Sequence, residues 1–173
     1  MAVVKRDAAA LAAYRTGGLA LLLTLGVIVA ALAFEHLGGY VPCPLCLQQR
    51  YAYYAGIPLL FLALVLVSAD ERRSAALVFL LVALAFLANA GLGVYQAGAE
   101  WKYWPGPDTC GGGQAITGNA GDLLEKLATT QVVRCDEAQW RLAGLSLAGW
   151  NVVLSMVIFA TTLNAAFASA ARR

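Results

Sequence analysis

Charge is scarce in this sequence: Asp, Glu, Lys and Arg make up only 13% of its 173 residues, whereas 61% are hydrophobic. With a mean hydropathy of +0.70, that balance excludes an ordinary globular domain. The few basic residues are not gathered with aromatics into a patch, so a nucleic-acid surface is excluded as well. Histidine occurs once, as His36 beside Glu35 at the end of an apolar run, where a solvated helix-end residue is expected.

In place of charge the chain has four apolar runs, at about 17–34, 45–68, 74–95 and 145–167. Each is close to the ~20 residues a helix needs to cross the hydrocarbon core. Backbone in lipid must satisfy its own hydrogen bonds. The runs therefore predict an all-α integral membrane protein, a single domain over 1–173 in which four spans form one bundle. Its connecting loops at about 35–44 and 96–144 emerge on the same side. Arg50, Tyr51, Tyr53 and Tyr54 open the second run, which places its start in the headgroup region. The first run follows Lys5, Arg6 and Arg15 and contains Ala31-Leu32-Ala33, which resembles a signal-peptide cleavage site. It is longer than a typical signal core, so an uncleaved helix is expected.

Orientation follows from the basic residues. Lys5, Arg6, Arg15, Arg72, Arg73, Arg172 and Arg173 lie on one side, against only Asp7, Asp70 and Glu71. The other side carries Arg50, Lys102, Lys126, Arg134 and Arg141 against a larger set of acids. Both termini are thus expected in the cytoplasm.

All four cysteines then fall on the outer side, Cys43 and Cys46 in the short loop and Cys110 and Cys135 in the long one. Facing an oxidising compartment, they predict disulfides, although four cysteines allow three pairings and the sequence chooses none. Two structural staples are the plain reading, and three local features favour redox chemistry instead. Cys43-Pro44-Leu45-Cys46 closes a small, easily reduced ring. Pro44 suits the first position of a helix, so Cys46 lies in the first turn, where the macrodipole and free N–H groups favour a thiolate. Arg50 stands one turn beyond Cys46 on the same face and brings a permanent cation near it. A metal fits poorly, because zinc would want a second close pair rather than the distant Cys110 and Cys135, and c-type haem would want histidine where Leu47 stands.

The long loop has its own organisation. Glu100-Trp101-Lys102-Tyr103-Trp104 reads as an anchor at the membrane interface, and Pro105-Gly106-Pro107 as a turn. Gly111 to Gly113 leave Cys110 on a mobile segment, and Asn119 caps a short surface helix that groups Leu123, Leu124 and Leu127.

Cys43-Pro44-Leu45-Cys46 with Arg50, the stretch from Trp104 to Cys110, and Cys135 followed by Gln139-Trp140 and Trp150 together resemble the bacterial disulfide bond formation protein B (DsbB) family. The specific motifs run from about Phe34 to Trp150, and the rest is similar in topology. The resemblance implies a multi-pass enzyme of the bacterial inner membrane with its cysteine loops in the periplasm. Such an enzyme reoxidises a soluble thioredoxin-like dithiol oxidase of the DsbA type and passes the electrons to membrane quinone, either ubiquinone or menaquinone. It further implies that Cys110 receives the partner's thiolate and Cys135 resolves it. Cys43 and Cys46 then take the electrons, and Cys46 meets the quinone with Arg50 as the fixed cation.

Some members of the family carry a histidine just after the third helix. Gln96-Ala97-Gly98 stands there in this chain, which leaves no assigned proton acceptor. The stretch before Cys110 is richer in Trp and Pro than the family pattern, so a specialised oxidase partner fits too. Two rivals are a four-helix scaffold with structural disulfides and an enzyme similar to vitamin K epoxide reductase. In the latter family the CxxC pair comes late in the chain, opposite to the order here.

Overall fold

The computed structural model describes residues 2–106 and 134–171, with side chains from residue 8 onward. Cys110 and the surface helix expected after Asn119 lie outside the described residues. Four long helices carry the fold: α1 (Ala2–His36), α2 (Pro44–Ser68), α3 (Arg72–Glu100) and α4 (Leu147–Ala170). All four are long and apolar enough to cross a membrane, and their arrangement is a four-helix membrane bundle.

The surface of the bundle is made for lipid. Leu22 and Leu77 are each 68% exposed, as a side chain facing hydrocarbon can be. The interior is built from small residues and a few large ones: Ala20, Ala63, Ala75 and Ala165 let the helices approach, and Phe79, Phe86, Leu60 and Ile158 fill the remaining space. Two buried threonine hydroxyls are satisfied within their own helices. Thr24 and Thr162 donate to the carbonyls one turn back, Ala20 O and Ile158 O, both at 2.7 Å.

Two helix ends differ from the sequence expectation, each for a local reason. Helix α1 starts well before residue 17, because the alanine-rich stretch around Ala8–Ala13 prefers helix although it is less apolar than a span. Helix α3 runs past Tyr95 to Glu100, since Gln96 and Glu100 lie one turn apart and both turn inward instead of ending the helix. Beyond it the chain folds back: Trp104 donates from Nε1 to Tyr95 O at 2.8 Å and covers Gly98, where a Cβ would lie only 2.0 Å from the indole. The interface cluster is therefore split, with Glu100 buried and Trp101 and Tyr103 exposed.

A two-stranded antiparallel hairpin, β1 (Arg141–Leu142) and β2 (Leu145–Ser146), precedes α4 and is an addition to the all-helical expectation. Its two turn residues, Ala143 and Gly144, both have positive φ, as a tight hairpin turn requires. Ser146 then caps α4, accepting from Gly149 N at 3.1 Å.

Gly93 marks a close approach of α3 to α4, because a Cβ there would lie 2.8 Å from Val152 Cγ2. Gly91, two residues earlier, has nothing within 4 Å. Gly93→Leu is expected to cost about 1–3 kcal/mol by overpacking and to lower the melting temperature in detergent by several degrees. Gly91→Leu is expected to leave it unchanged, and parallel thermal scans of the two variants check the contrast.

Candidate active site

Cys43 and Cys46 are joined in a disulfide at the start of α2. Cys43 is the N-cap, in extended backbone, and Pro44 opens the helix as its sequence position suggests. The free N–H of the first turn is that of Cys46, and it donates to Cys43 Sγ at 3.1 Å. The helix start thus serves the Cys43 sulfur, whereas the sequence had assigned its free N–H groups to Cys46.

Cys46 is served from another helix. Gln96 on α3 donates from Nε2 to Cys46 Sγ at 3.3 Å and to Cys43 Sγ at 3.5 Å. Behind Gln96 stands a series of buried and half-buried polar side chains. Gln49 Nε2 donates to Gln96 Oε1 at 2.8 Å, Asn151 Nδ2 to Gln49 Oε1 at 2.7 Å, and Tyr53 Oη to Asn151 Oδ1 at 2.6 Å. Asn89 joins at the deep end, donating to Ser155 Oγ at 3.0 Å. None of these partners was singled out as a site residue from sequence. The signal that could have found them is a polar pair one turn apart in or at the end of three of the four apolar runs: Gln49 with Tyr53, Gln96 with Glu100, and Asn151 with Ser155.

The disulfide forms part of the wall of a cavity of about 500 Å³ lined by α1, α2, α4 and the end of α3. Leu23, Val27, Phe34 and Leu154 make its sides apolar, and Glu35, Arg50, Gln96 and Glu100 supply its polar groups. The Arg50 guanidinium is paired with Glu35 of α1. Among the described residues the hydrogen-bond donors to Cys46 Sγ therefore include the Gln96 amide but not Arg50, which stands on the same cavity wall. Glu100 accepts from Gln96 Nε2 at 3.4 Å through Oε1. Its Oε2 is the one buried side-chain oxygen or nitrogen among the described residues with no hydrogen-bond partner. His36 and Glu35 end α1 as expected, with Glu35 occupied by Arg50.

Cys135 is buried, at 1% exposure, and packs with Cys43, Leu45 and Cys46. The segment around it is pinned at three points. Lys102 donates to Asp136 at 2.6 Å, Gln139 Nε2 donates to Val41 O at 3.0 Å, and the Trp140 ring lies 5.1 Å from that of Phe34. Gln139 and Trp140 of the sequence motif thus fasten the Cys135 segment to the loop that carries the other two cysteines. Hydrogen bonds from Arg134, then from Lys102, hold the Asp136 carboxyl well below the usual carboxylate range.

The family model for "Disulfide bond formation protein DsbB" matches residues 14–165. This chain belongs to the DsbB family. Among proteins called "Disulfide bond formation protein B", that of Verminephrobacter eiseniae is 31% identical over 132 residues, covering 73% of this chain and 71% of the relative. That of Albidiferax ferrireducens is 26% identical over 159 residues, covering 88% and 86%, and that of Methylococcus capsulatus is 30% identical over 152 residues, covering 84% and 88%. No solved structure gives a significant match. The family match spans all four helices and both described parts of the cysteine site, so the buried contact of Cys135 with the CxxC pair lies within the matched region.

The Asp136 clamp has a definite pH dependence. Its folded pKa is depressed, so the stability it confers is present above the ordinary carboxylate value of about 4 and is lost only as pH falls through the depressed one. Reduction of the disulfide at Cys135 by a water-soluble phosphine is therefore expected to show no clamp-dependent acceleration between pH 7 and about pH 4. Asp136→Asn is expected to speed it about two- to fivefold across that range, and high salt to narrow the difference.

Proposed function

We propose that this protein is a quinone-dependent thiol oxidase that reoxidises a soluble thioredoxin-like dithiol oxidase of the DsbA type and thereby supports disulfide bond formation. The observation that carries this reading is the packing of Cys135 directly on a CxxC disulfide that also lines an apolar cavity. Thiol exchange needs sulfurs in contact, and a lipid-soluble electron acceptor needs an apolar site within the membrane. Here the two requirements meet at one pair of cysteines. A staple between residues only three apart constrains little chain, which weighs against a purely structural disulfide.

In the proposed sequence the partner's thiolate attacks Cys110 of a Cys110–Cys135 disulfide and displaces the Cys135 thiolate. The partner's second thiol closes the partner disulfide and frees Cys110. Cys135 attacks Cys43 and displaces the Cys46 thiolate, after which Cys110 recovers Cys135 and releases Cys43. The net change is one dithiol oxidised in the partner and one dithiol formed at Cys43 and Cys46, with two electrons and two protons carried over. Burial of Cys135 against the pair keeps its attack distance short and excludes water.

The cavity suits a quinone, either ubiquinone or menaquinone, which when bound supplies a two-electron, two-proton acceptor able to leave through the lipid. Leu23, Val27, Phe34 and Leu154 would hold its apolar body, and Arg50 would face its polar ring. A guanidinium has five N–H donors, so pairing with Glu35 leaves others for a ligand. The excess of basic residues on the side of the termini supports a cytoplasmic location for both ends and a periplasmic one for the cysteine loops.

Cys46→Ser is expected to insert normally, to lose quinone-dependent oxidation of a dithiol partner, and to lose any absorbance band of bound quinone. Arg50→Met is expected to raise the KM for quinone about tenfold or more. Turnover assays and spectra of purified protein check both, and retained quinone-dependent turnover in Cys46→Ser would sink the reading.

A further inference from the structure

The polar side chains behind the disulfide share one direction. Disulfide sulfurs accept hydrogen bonds and donate none, so the end of Gln96 that faces them is its NH2 group. Its oxygen must then accept, and it does so from Gln49 Nε2 at 2.8 Å. The oxygen of Gln49 in turn accepts from Asn151 Nδ2 at 2.7 Å, and the oxygen of Asn151 accepts from the Tyr53 hydroxyl at 2.6 Å. Every donor therefore points toward the sulfurs. The groups come from α2, α3 and α4; Gln49, Tyr53 and Gln96 are each at most 5% exposed and Asn151 is half-buried, so water has little access to these bonds. Aligned hydrogen bonds of this kind polarise one another, and the last donor in the row is strengthened most.

We propose that this chain of hydrogen bonds stabilises the Cys46 thiolate and so makes the Cys43–Cys46 disulfide more oxidising, with Gln96 touching the reacting sulfur and Gln49, Asn151 and Tyr53 as positioning residues behind it. The inference rests on the redox role proposed for this pair and assigns groups to it that the motif does not contain. When a dithiol reduces the pair, the S–S bond breaks and two electrons enter. Cys43 leaves as a thiol, Cys46 as a thiolate, the dithiol becomes a disulfide, and one proton is released. The Gln96 N–H already at Cys46 Sγ then meets a full negative charge without reorganising, and hydrogen bonds to charged acceptors are about twice as strong as neutral ones. The second N–H of Gln96 is directed to Glu100 Oε1, which holds the amide plane from the other side. Cys43 has a second donor of its own, the Cys46 N–H of the helix start, whereas Gln96 lies nearer to Cys46 Sγ, at 3.3 Å, than to Cys43 Sγ, at 3.5 Å.

The test is the equilibrium of the full-length protein in detergent with dithiothreitol, without quinone or partner protein, read by alkylating and weighing the Cys43–Cys46 peptide. Gln96→Met keeps the length of the side chain and loses the donor. It is expected to lower the equilibrium constant for reduction about tenfold or more, which is about 30 mV per tenfold for a two-electron couple. The rate of Cys46 alkylation by iodoacetamide at fixed pH is expected to fall with it. Tyr53→Phe and Asn151→Leu, which touch neither sulfur, are expected to shift both readouts the same way by a few-fold. An equilibrium within twofold of wild type in Gln96→Met overturns the proposal, and an effect of Gln96→Met with none from Tyr53→Phe or Asn151→Leu overturns the chain. Should Gln96→Met fail to assemble, Tyr53→Phe removes a single oxygen at the far end and decides alone. Wild-type turnover with quinone is measured separately, so loss of the functional reading and loss of this inference register in different assays.

Discussion

A buried amide in a membrane bundle must find a partner within the protein, and that constraint organises this structure. Gln49, Asn89, Gln96 and Asn151 sit on three different helices in surroundings of Leu, Phe and Ala, where an unsatisfied amide costs several kcal/mol. Each finds its partner on another helix. The requirement fixes the rotation of α2, α3 and α4 about their axes, because a turn of α2 would strip Gln49 of both its partners at once and a turn of α3 or α4 would strip it of one. Apolar packing alone specifies less, since lipid tails are as apolar as the leucines they replace. The same bonds end on the sulfurs, so the contacts that align the helices also aim a donor at the disulfide.

Much of this was legible in the sequence, and the part that was not has a physical reason. Span lengths follow from hydropathy, and the start of α2 follows from Pro44, because both are local properties. The polar row is not local: its links join residues 47 and 102 positions apart in the chain. In sequence, Gln49 looks like a helix-start polar residue near the headgroups and Gln96 like the end of a span. Only their shared inward faces show that they meet. Glu100 was grouped with its aromatic neighbours for the same reason, until the helix carried it one turn past Gln96 and buried it. The role of Arg50 was read from its spacing to Cys46, which says nothing of α1. The partner that occupies it, Glu35, comes from the helix before.

The motif residues around Cys135 fare differently. Their spacing in sequence shows that they belong together but not what they do. In the fold, Gln139 and Trp140 reach back to Val41 and Phe34, which lie on either side of the loop entering Cys43. Two segments about a hundred residues apart are thereby held in register. Exposed ion pairs such as Lys102–Asp136 contribute little individually. Coupled to a ring contact and a backbone hydrogen bond, they suffice to keep one short segment seated over the pair.

The pairing of Arg50 with Glu35 also bears on how the cavity tolerates a new charge. An isolated guanidinium in apolar surroundings is costly, and an isolated thiolate there is costly too. If Arg50 were the partner of Cys46, each redox cycle would create and destroy a buried ion pair, and the reduced state would be held by a full unit charge. With Glu35 balancing Arg50, that pair carries no net charge before the thiolate forms, and the new charge is met by the dipoles of an amide row. Dipoles fixed in advance stabilise an anion by a moderate amount and ask for no movement. Under the proposed redox role moderation matters, because a thiolate bound too tightly would retain its electrons. In that role, a neutral donor at the sulfur with a compensated cation on the same cavity wall would let the charge form and let it leave.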